Sequence, residues 1–478
     1  MNKFKLFVEN FLVYGLGGII SKVIPLIMLP IITRLMPDSF YFGLSDLSNT
    51  VVQFGSALAV MGMYDAVFRL FFDKEDEEYQ RKVCSTALLF TLCTSFLVFL
   101  LLVIFRGPVS EFVFSDRKYA NILFLSAISI FIGGTNNIVQ IPTRVQNKRK
   151  VYLILNTVGP VLSYAVSVPL LINGYYEIAL PLAAVISALW LEICFWFLNH
   201  KWFDFHIFDK SILGQLLRIG VPLLPNFLIY WVFNSCDRLM IGKLIGNSFT
   251  GIYGVGARIA SVSQLIYTAF AGGWQYFAFS TMRESDQVKS NSRIFEYLGT
   301  ISFGCSLLVC AFAYPVFQLL FPGEYEAGFI VVPYLFLAPL MQMLYQVVCN
   351  QFLIIKCTWP NMLILGIGAL LNVVLNLTLI PLIGIEGAAI STLLGYSLSV
   401  LIAVIWLNRL KLVDLDRRFG IVTILTIVYY VVWRLCTINL FWISLLLAIL
   451  FIGIYISLYW PDIKLLIKKE GHDESNSI

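Results

Sequence analysis

Charge is scarce in this chain. Only 13% of its 478 residues are Asp, Glu, Lys or Arg, and 59% are hydrophobic, for a mean hydropathy of +0.84. An ordinary soluble domain carries roughly 25% charge, so a water-soluble core cannot hide this much apolar surface, and lipid is the solvent for most of it. Histidine is almost missing: residues 200, 206 and 472 are the only three, none at zinc-ligand spacing. A Ser/His/Asp arrangement therefore has nowhere to assemble. The phosphate-loop pattern GxxxxGK[ST] is absent, which removes nucleotide-hydrolysing engines of that kind. The nearest glycine-rich string, Gly254-Val255-Gly256-Ala257-Arg258, lacks the third glycine and lies in an apolar run, where small residues allow close helix contact. The nine cysteines are scattered; they suggest neither a metal pair nor a disulfide framework and read as small apolar fillers. Long polar insertions are missing too, and no loop on the side opposite the termini exceeds about fifteen residues. A membrane glycan polymerase or ligase, the best enzyme candidate, usually carries a large loop there. The expectation is a protein without catalytic residues, metal or other cofactor, and without a nucleic-acid partner.

What is present is a succession of apolar runs. A spanning helix needs about 20 such residues. Runs of that size lie near 11–33 (α1), 42–68 (α2), 84–105 (α3), 120–141 (α4), 151–172 (α5) and 177–198 (α6). After a polar stretch, 199–214, they resume near 216–241 (α7), 249–274 (α8), 294–320 (α9), 329–354 (α10), 361–380 (α11) and 387–408 (α12). A basic break, Arg409–Arg418, precedes two more at 419–436 (α13) and 439–460 (α14). Lys3 and Lys5 precede the first run, which is too long for a signal-peptide core and reads as the first membrane helix. The expected fold is all-α and polytopic, with about fourteen transmembrane helices. Residues 1–210 form an N-terminal six-helix lobe, 211–410 a C-terminal six-helix lobe, and 411–478 two additional helices and a tail. Of the 33 Lys and Arg, 24 fall on the side of the N-terminus and 7 on the other, with Lys22 and Arg258 inside helices. By the positive-inside rule both termini are cytoplasmic.

A repeat organises the chain. Thr33–Leu47 reads TRLMPDSFYFGLSDL, and Gly242–Gly256 reads GKLIGNSFTGIYGVG. In each, an apolar segment ends on a base (Arg34, Lys243) followed by a bulky pair and then Pro37 or Gly246. A short polar turn follows, and a glycine with an apolar neighbour (Gly43-Leu44, Gly251-Ile252) opens the next helix. A repeated unit of this kind in a membrane chain suggests two halves around one central site.

Ionisable groups at membrane depth are costly and are functional candidates by default. Lys22 lies ~16 Å and Arg258 roughly 14 Å from the outer face, at 1.5 Å per residue. Facing each other across a cleft, they would make a site for a phosphate-like anion, the Arg fork binding it bidentately; otherwise each snorkels or pairs with a local acid. Asp46, one turn into α2, could serve either purpose. Glu192 in α6 is either a proton-carrying carboxylate or a satisfied helix contact. Asp65 and Arg69 stand at i, i+4, which suggests an ion pair, and Asp237-Arg238 ends α7, where it would cap or position the turn. Pro25 and Pro30 in α1, and Pro222 and Pro225 in α7, would kink the corresponding helix of each half. Asn136, Asn137 and Gln140 follow Gly133-Gly134 in α4, while Asn226, Tyr230, Trp231 and Asn234 line α7. Amides and aromatic faces of this kind suit a glycan; interfacial aromatic belts explain Trp and Tyr equally well.

The string TRLMPDSFYFGLSDL, the second-half string VPLLPNFLIYWVFNSCDRLMIGKLIGNSFTGIYGVGARIA and the helix order six, six and two resemble the polysaccharide-biosynthesis flippases. These are the oligosaccharide-lipid branch of the superfamily that also holds the multidrug and toxin extrusion transporters and the lipid II flippase. The resemblance spans α1–α12 and is most specific at Gly251-Ile252-Tyr253. It implies two six-helix lobes forming a V around a central cavity. It also implies an undecaprenyl-diphosphate-linked oligosaccharide as substrate, moved by alternating access to the outer leaflet of a bacterial plasma (inner) membrane. The product would serve O-antigen, capsule or exopolysaccharide synthesis, with H+ or Na+ as coupling ion and polysaccharide polymerase or assembly proteins as partners. In such flippases a cationic cavity receives the pyrophosphate, and Lys22 and Arg258 are the matching bases; α2 carries acids where a further base is expected. The alternative is a multidrug-extrusion type of cation-coupled exporter, which wants acids at its centre; Lys22 and Arg258 favour the flippase. Glu192 is the coupling-ion candidate.

Overall fold

The computed structural model describes residues 23–282, 286–321 and 323–475, and among these the secondary structure is helical, without strands. Eleven helices are long and apolar enough to cross a membrane, or twelve if the bent pair Ser39–Val60 and Met63–Phe71 is one span. The described residues thus fall short of the expected fourteen at two places. Helix α1 is described only as Val23–Leu35, and α8 is split at Ser261 into Asn247–Ala260 and Val262–Ser280. At that break Ser263 Oγ donates to the Ala260 carbonyl at 3.0 Å, a local bond that competes with the helical ladder.

The bend in α2, 43° between its two parts, has a backbone cause. Met61 (φ 49) and Gly62 (φ 70) both adopt the left-handed conformation, which costs an L residue about 1–2 kcal/mol and which glycine adopts freely. Gly62 also meets Gly220 at the foot of α7: a Cβ there would lie 2.8 Å from Gly220 Cα.

The chain divides into two compact units, one of residues 1–258 with 369–391, the other of 259–368 with 392–478. In the first unit one apolar cluster joins the second part of α2 (Met63, Val67, Phe71) to α3, α4, α6 and the short helix Lys210–Gly220 through Ile212 and Leu216. A second cluster packs Leu44 and Leu47 of α2 against Val113, Phe114 and Tyr119 and the start of α4. Small residues bring the helices close: a Cβ at Gly134 of α4 would lie 3.2 Å from Ser95 Cβ of α3, and Ser48 of α2 bonds Ser126 of α4 at 2.8 Å. In the second unit α10 is the most enclosed span. Glu296 of α9 there accepts from Asp416 N at 2.6 Å and from Tyr459 OH at 3.2 Å, while Arg418 pairs with Asp462 at 2.9 Å. These bonds fasten α13 and α14 onto α9. Ile427 and Leu446, on α13 and α14, remain well exposed, at 59% and 67%, which is affordable only in lipid.

One local expectation changes. Arg69 pairs with Asp73, not with Asp65; both pairs have the i, i+4 spacing, and the acid in the polar stretch beyond the helix end is the one reached. All nine thiols are free, and Cys84, Cys310 and Cys349 are buried fillers.

Candidate functional site

The second helix of each half begins at a copy of the repeated turn, and the two helix starts touch. In the first copy Asp38 caps α2, its carboxylate accepting from Phe40 N at 3.0 Å. In the second, Gly246 (φ 111) turns the chain into α8. A Cβ built on Gly43 would lie 3.1 Å from Gly251 N, and one on Gly251 would lie 3.0 Å from Gly43 N. Only glycine permits backbones to approach this closely.

One turn further in, Asp46 sits between two arginines. It is only 4% exposed. Arg238 Nε of α7 lies 2.5 Å from Asp46 Oδ2, and Arg258 Nη2 of α8 lies 3.5 Å from Oδ1. Arg258 stacks over the Phe42 ring at 4.4 Å, and Arg238 lies over the Tyr253 ring at 5.8 Å and donates to the Asn234 carbonyl. The seat for Asp46 exists because residue 254 is glycine, where a Cβ would lie 2.8 Å from Oδ2. The group of three carries two positive charges and one negative. A second buried carboxylate, Asp237, adjoins Arg238 in the chain, so four charges of balanced sign meet here at membrane depth, where charges are poorly solvated.

Arg238 is the residue that sequence reasoning placed in the wrong role. Its place at the end of an apolar run reads as capping or positioning the outer turn, whereas in the structure its side chain joins Asp46. The reason is the π-helical turn Val232–Cys236 just before it. An inserted residue in a helix shifts the phase of everything after it. Successive residues then look to different neighbours: Arg238 to α2, Asp237 to α8 and α11. Asp237, 2% exposed, accepts from Tyr253 OH at 2.6 Å and Asn376 Nδ2 at 2.8 Å, and Asn376 also bonds Asn372 Oδ1 at 3.2 Å. Asn376 Oδ1 is buried, and no hydrogen-bond partner meets it among the described residues. A carboxylate with amide oxygens is the donor set of a hard cation. No group of three or more His, Cys, Asp or Glu side chains that could hold a metal ion occurs among the described residues.

Of the other candidates, Lys22 lies outside the described residues. Trp231 Nε1 donates to the Thr50 carbonyl at 3.2 Å and its ring meets Phe54 at 4.8 Å, so it packs on α2. Asn234 turns its amide onto the Tyr230 carbonyl at 2.7 Å. Asn226 and Tyr230 are half-buried on the same helix. Glu192 stands apart from this group, beside Thr135 and Asn136 of α4. Its Oε2 is buried, with no hydrogen-bond partner among the described residues.

Comparison with known proteins decides the family. The profile of the family described as polysaccharide biosynthesis protein matches residues 31–328. The chain belongs to that family. The match takes in both copies of the turn and all three members of the charged group. An uncharacterized membrane protein of Methanocaldococcus jannaschii is 26% identical over 216 residues, which is 43% of this chain; the chain spans 41% of that relative's length. Among solved structures, the lipid II flippase MurJ in an inward closed conformation superimposes with a TM-score of 0.73 at 14% identity, over 94% of this chain and 99% of that one. An inward-facing multidrug resistance transporter of the MATE family gives 0.62 at 14% identity, over 82% and 98%. The Vibrio cholerae MATE transporter VcmN in its bent form gives 0.54 at 13%, over 86% and 98%. This family member therefore has the MurJ/MATE fold and is a multi-pass membrane protein, structurally akin to transporters and flippases.

Proposed function

We propose that the chain is a flippase for undecaprenyl-diphosphate-linked oligosaccharide units, moving them from the cytoplasmic to the outer leaflet of a bacterial plasma membrane for surface polysaccharide synthesis. The observation that carries this reading is the group of two half-buried guanidiniums on one buried carboxylate, Arg238–Asp46–Arg258, in a chain of the polysaccharide biosynthesis protein family. Each phosphate of a diphosphate diester carries one negative charge, and two guanidinium forks present donors in the matching geometry. Lys22 would be a third cation at similar depth. The prenyl tail can stay in the bilayer, so the protein needs a polar path only for the head, bounded by the lobes 1–210 and 211–410 moving against each other. Residues 411–478 would ride with the second lobe, both termini would be cytoplasmic, and Asn226, Tyr230 and Asn234 would meet the sugars, with Trp231 packed on α2 beside them. Coupling to H+ would use Glu192, and coupling to Na+ the oxygens of Asp237, Asn372 and Asn376. A cation-coupled drug exporter is the other reading; the two guanidiniums, more exposed than the acids beside them, present the wrong sign to a cationic cargo.

The test is display of surface glycan in a strain whose own copy is replaced by the Arg238→Ala/Arg258→Ala double variant. Loss of display with an unchanged amount of protein in the membrane supports the reading. Normal display overturns it.

A further inference from the structure

The flippase reading assigns the arginines and leaves the acid between them unexplained. A carboxylate is an odd resident for a site that receives an anion, since it competes for the same donors. Yet Asp46 is deliberately accommodated. Its oxygens lie 2.5 Å from Arg238 and 3.5 Å from Arg258, and the gap it fills opposite α8 exists only because residue 254 has no side chain. The position equivalent to Asp46 in the second copy of the turn, counted three residues on from Gly251, is Gly254 itself. Acid and vacancy are therefore partners across the two copies.

Resting on that reading, we propose that Asp46 is a displaceable counter-ion. In the empty site it holds Arg238 and Arg258, and the diphosphate of the lipid-linked head takes its place during transport. The charges support the exchange. Asp46 shares its one charge between both guanidiniums, whereas a diphosphate diester brings two negative charges, one for each; Asp237, next to Arg238 in the chain, is engaged by Tyr253 and Asn376 instead. The looser contact, 3.5 Å to Arg258, is where a phosphate oxygen would enter first, and Arg238, held at 2.5 Å and by the Asn234 carbonyl, would follow. With the diphosphate seated, Asp46 is a like charge beside it, and its return expels the head. A site with only arginines would bind the diphosphate and keep it; the carboxylate makes binding reversible. No bond is made or broken, and the exchange is one of ion pairs.

The test uses the full chain in lipid nanodiscs, with undecaprenyl diphosphate as the probe and undecaprenyl alcohol as the uncharged control. Asp46→Asn keeps the shape and removes the competing charge, so it should bind the diphosphate at least about ten-fold more tightly, as expected for removing a like charge a few ångströms away. Binding of the alcohol should not change. Gly254→Ala keeps the carboxylate but crowds it from its seat, and it should tighten diphosphate binding in the same direction by a smaller factor. It also remains informative should Asp46→Asn fail to fold. Equal or weaker binding of the diphosphate by the folded variants overturns the counter-ion role and makes Asp46 a brace. Diphosphate binding no tighter than alcohol binding, in wild type and variants alike, overturns the flippase reading itself, and this inference with it.

Discussion

The two copies of the turn begin alike and end differently. Both use a polar turn and a glycine to start a helix, and their glycines, Gly43 and Gly251, meet backbone to backbone. Three residues on, one copy holds Asp46 and the other Gly254; seven on, one holds Thr50 and the other Arg258. The turns are also held differently. The first is capped by its own Asp38, while the second is tied to the helix Arg106–Phe114, with Asn247 Nδ2 donating to the Phe114 carbonyl at 2.8 Å and Lys243 Nζ to the Glu111 carbonyl at 3.1 Å. The shared part is what packing requires, because two helices can cross at that distance only through glycines. The divergent part is what chemistry requires, because a charged pair needs unlike residues at equivalent positions. Symmetry builds the contact and its violation builds the site.

The comparison breaks most completely at the glycines. Gly251→Val places branched carbons where Gly43 and Ser39 backbone atoms already lie, and overpacking of this kind costs about 3 kcal/mol. The variant should lose its monodisperse peak in fluorescence-detected size-exclusion chromatography, and a wild-type profile would show that the helices do not cross there.

Next in size is the charged group. The double variant Arg238→Ala/Arg258→Ala should reduce export of lipid-linked glycan about a hundred-fold, corresponding to about 2.7 kcal/mol, with the protein still inserted. Each single variant should fall between, since each leaves Asp46 with one guanidinium. The same assay on Lys22→Ala asks whether the third cation belongs to the group; it should also lose surface glycan.

A third experiment sharpens the meeting of the turns. Cysteines at the exposed Pro37 and the half-buried Ser248, in a background without the native nine thiols, should be joined by a reducible bifunctional reagent spanning ~10–15 Å, about the length of three or four extended residues. Export should stop and recover on reduction. Absence of cross-linking would separate the turns and remove the basis for two lobes that part at this end.

The smallest effect is expected away from the repeat. Glu192→Gln keeps the shape of the side chain beside Thr135 and Asn136 but cannot ionise. Flipping in reconstituted vesicles should slow a few-fold, about 1 kcal/mol, and its dependence on pH should flatten. A full pH response in this variant would make Glu192 a structural residue.

Much of the architecture was written in the chain. The long apolar runs, the scarcity of charge and the uneven placement of Lys and Arg depend on each segment's own composition, and lipid reads composition locally. The repeat was visible for the same reason: a base, a turn and a glycine recur in order whatever surrounds them. Arg258 and Asp46 could be picked out as costly charges, but not as partners, because a separation of 212 positions in sequence carries no mark of which helices will adjoin. The role of Arg238 was hidden more deeply still. At the end of an apolar run it looks like a turn residue, and only the π-helical turn at Val232–Cys236 rotates it onto Asp46 while sending Asp237 to Tyr253 and Asn376. Gly254 reads in sequence as one small residue among several, and becomes a seat only when α2 lies against it. Composition decided which segments enter the membrane. Helix phase and close approach, which are properties of the packed chain, decided which charges meet.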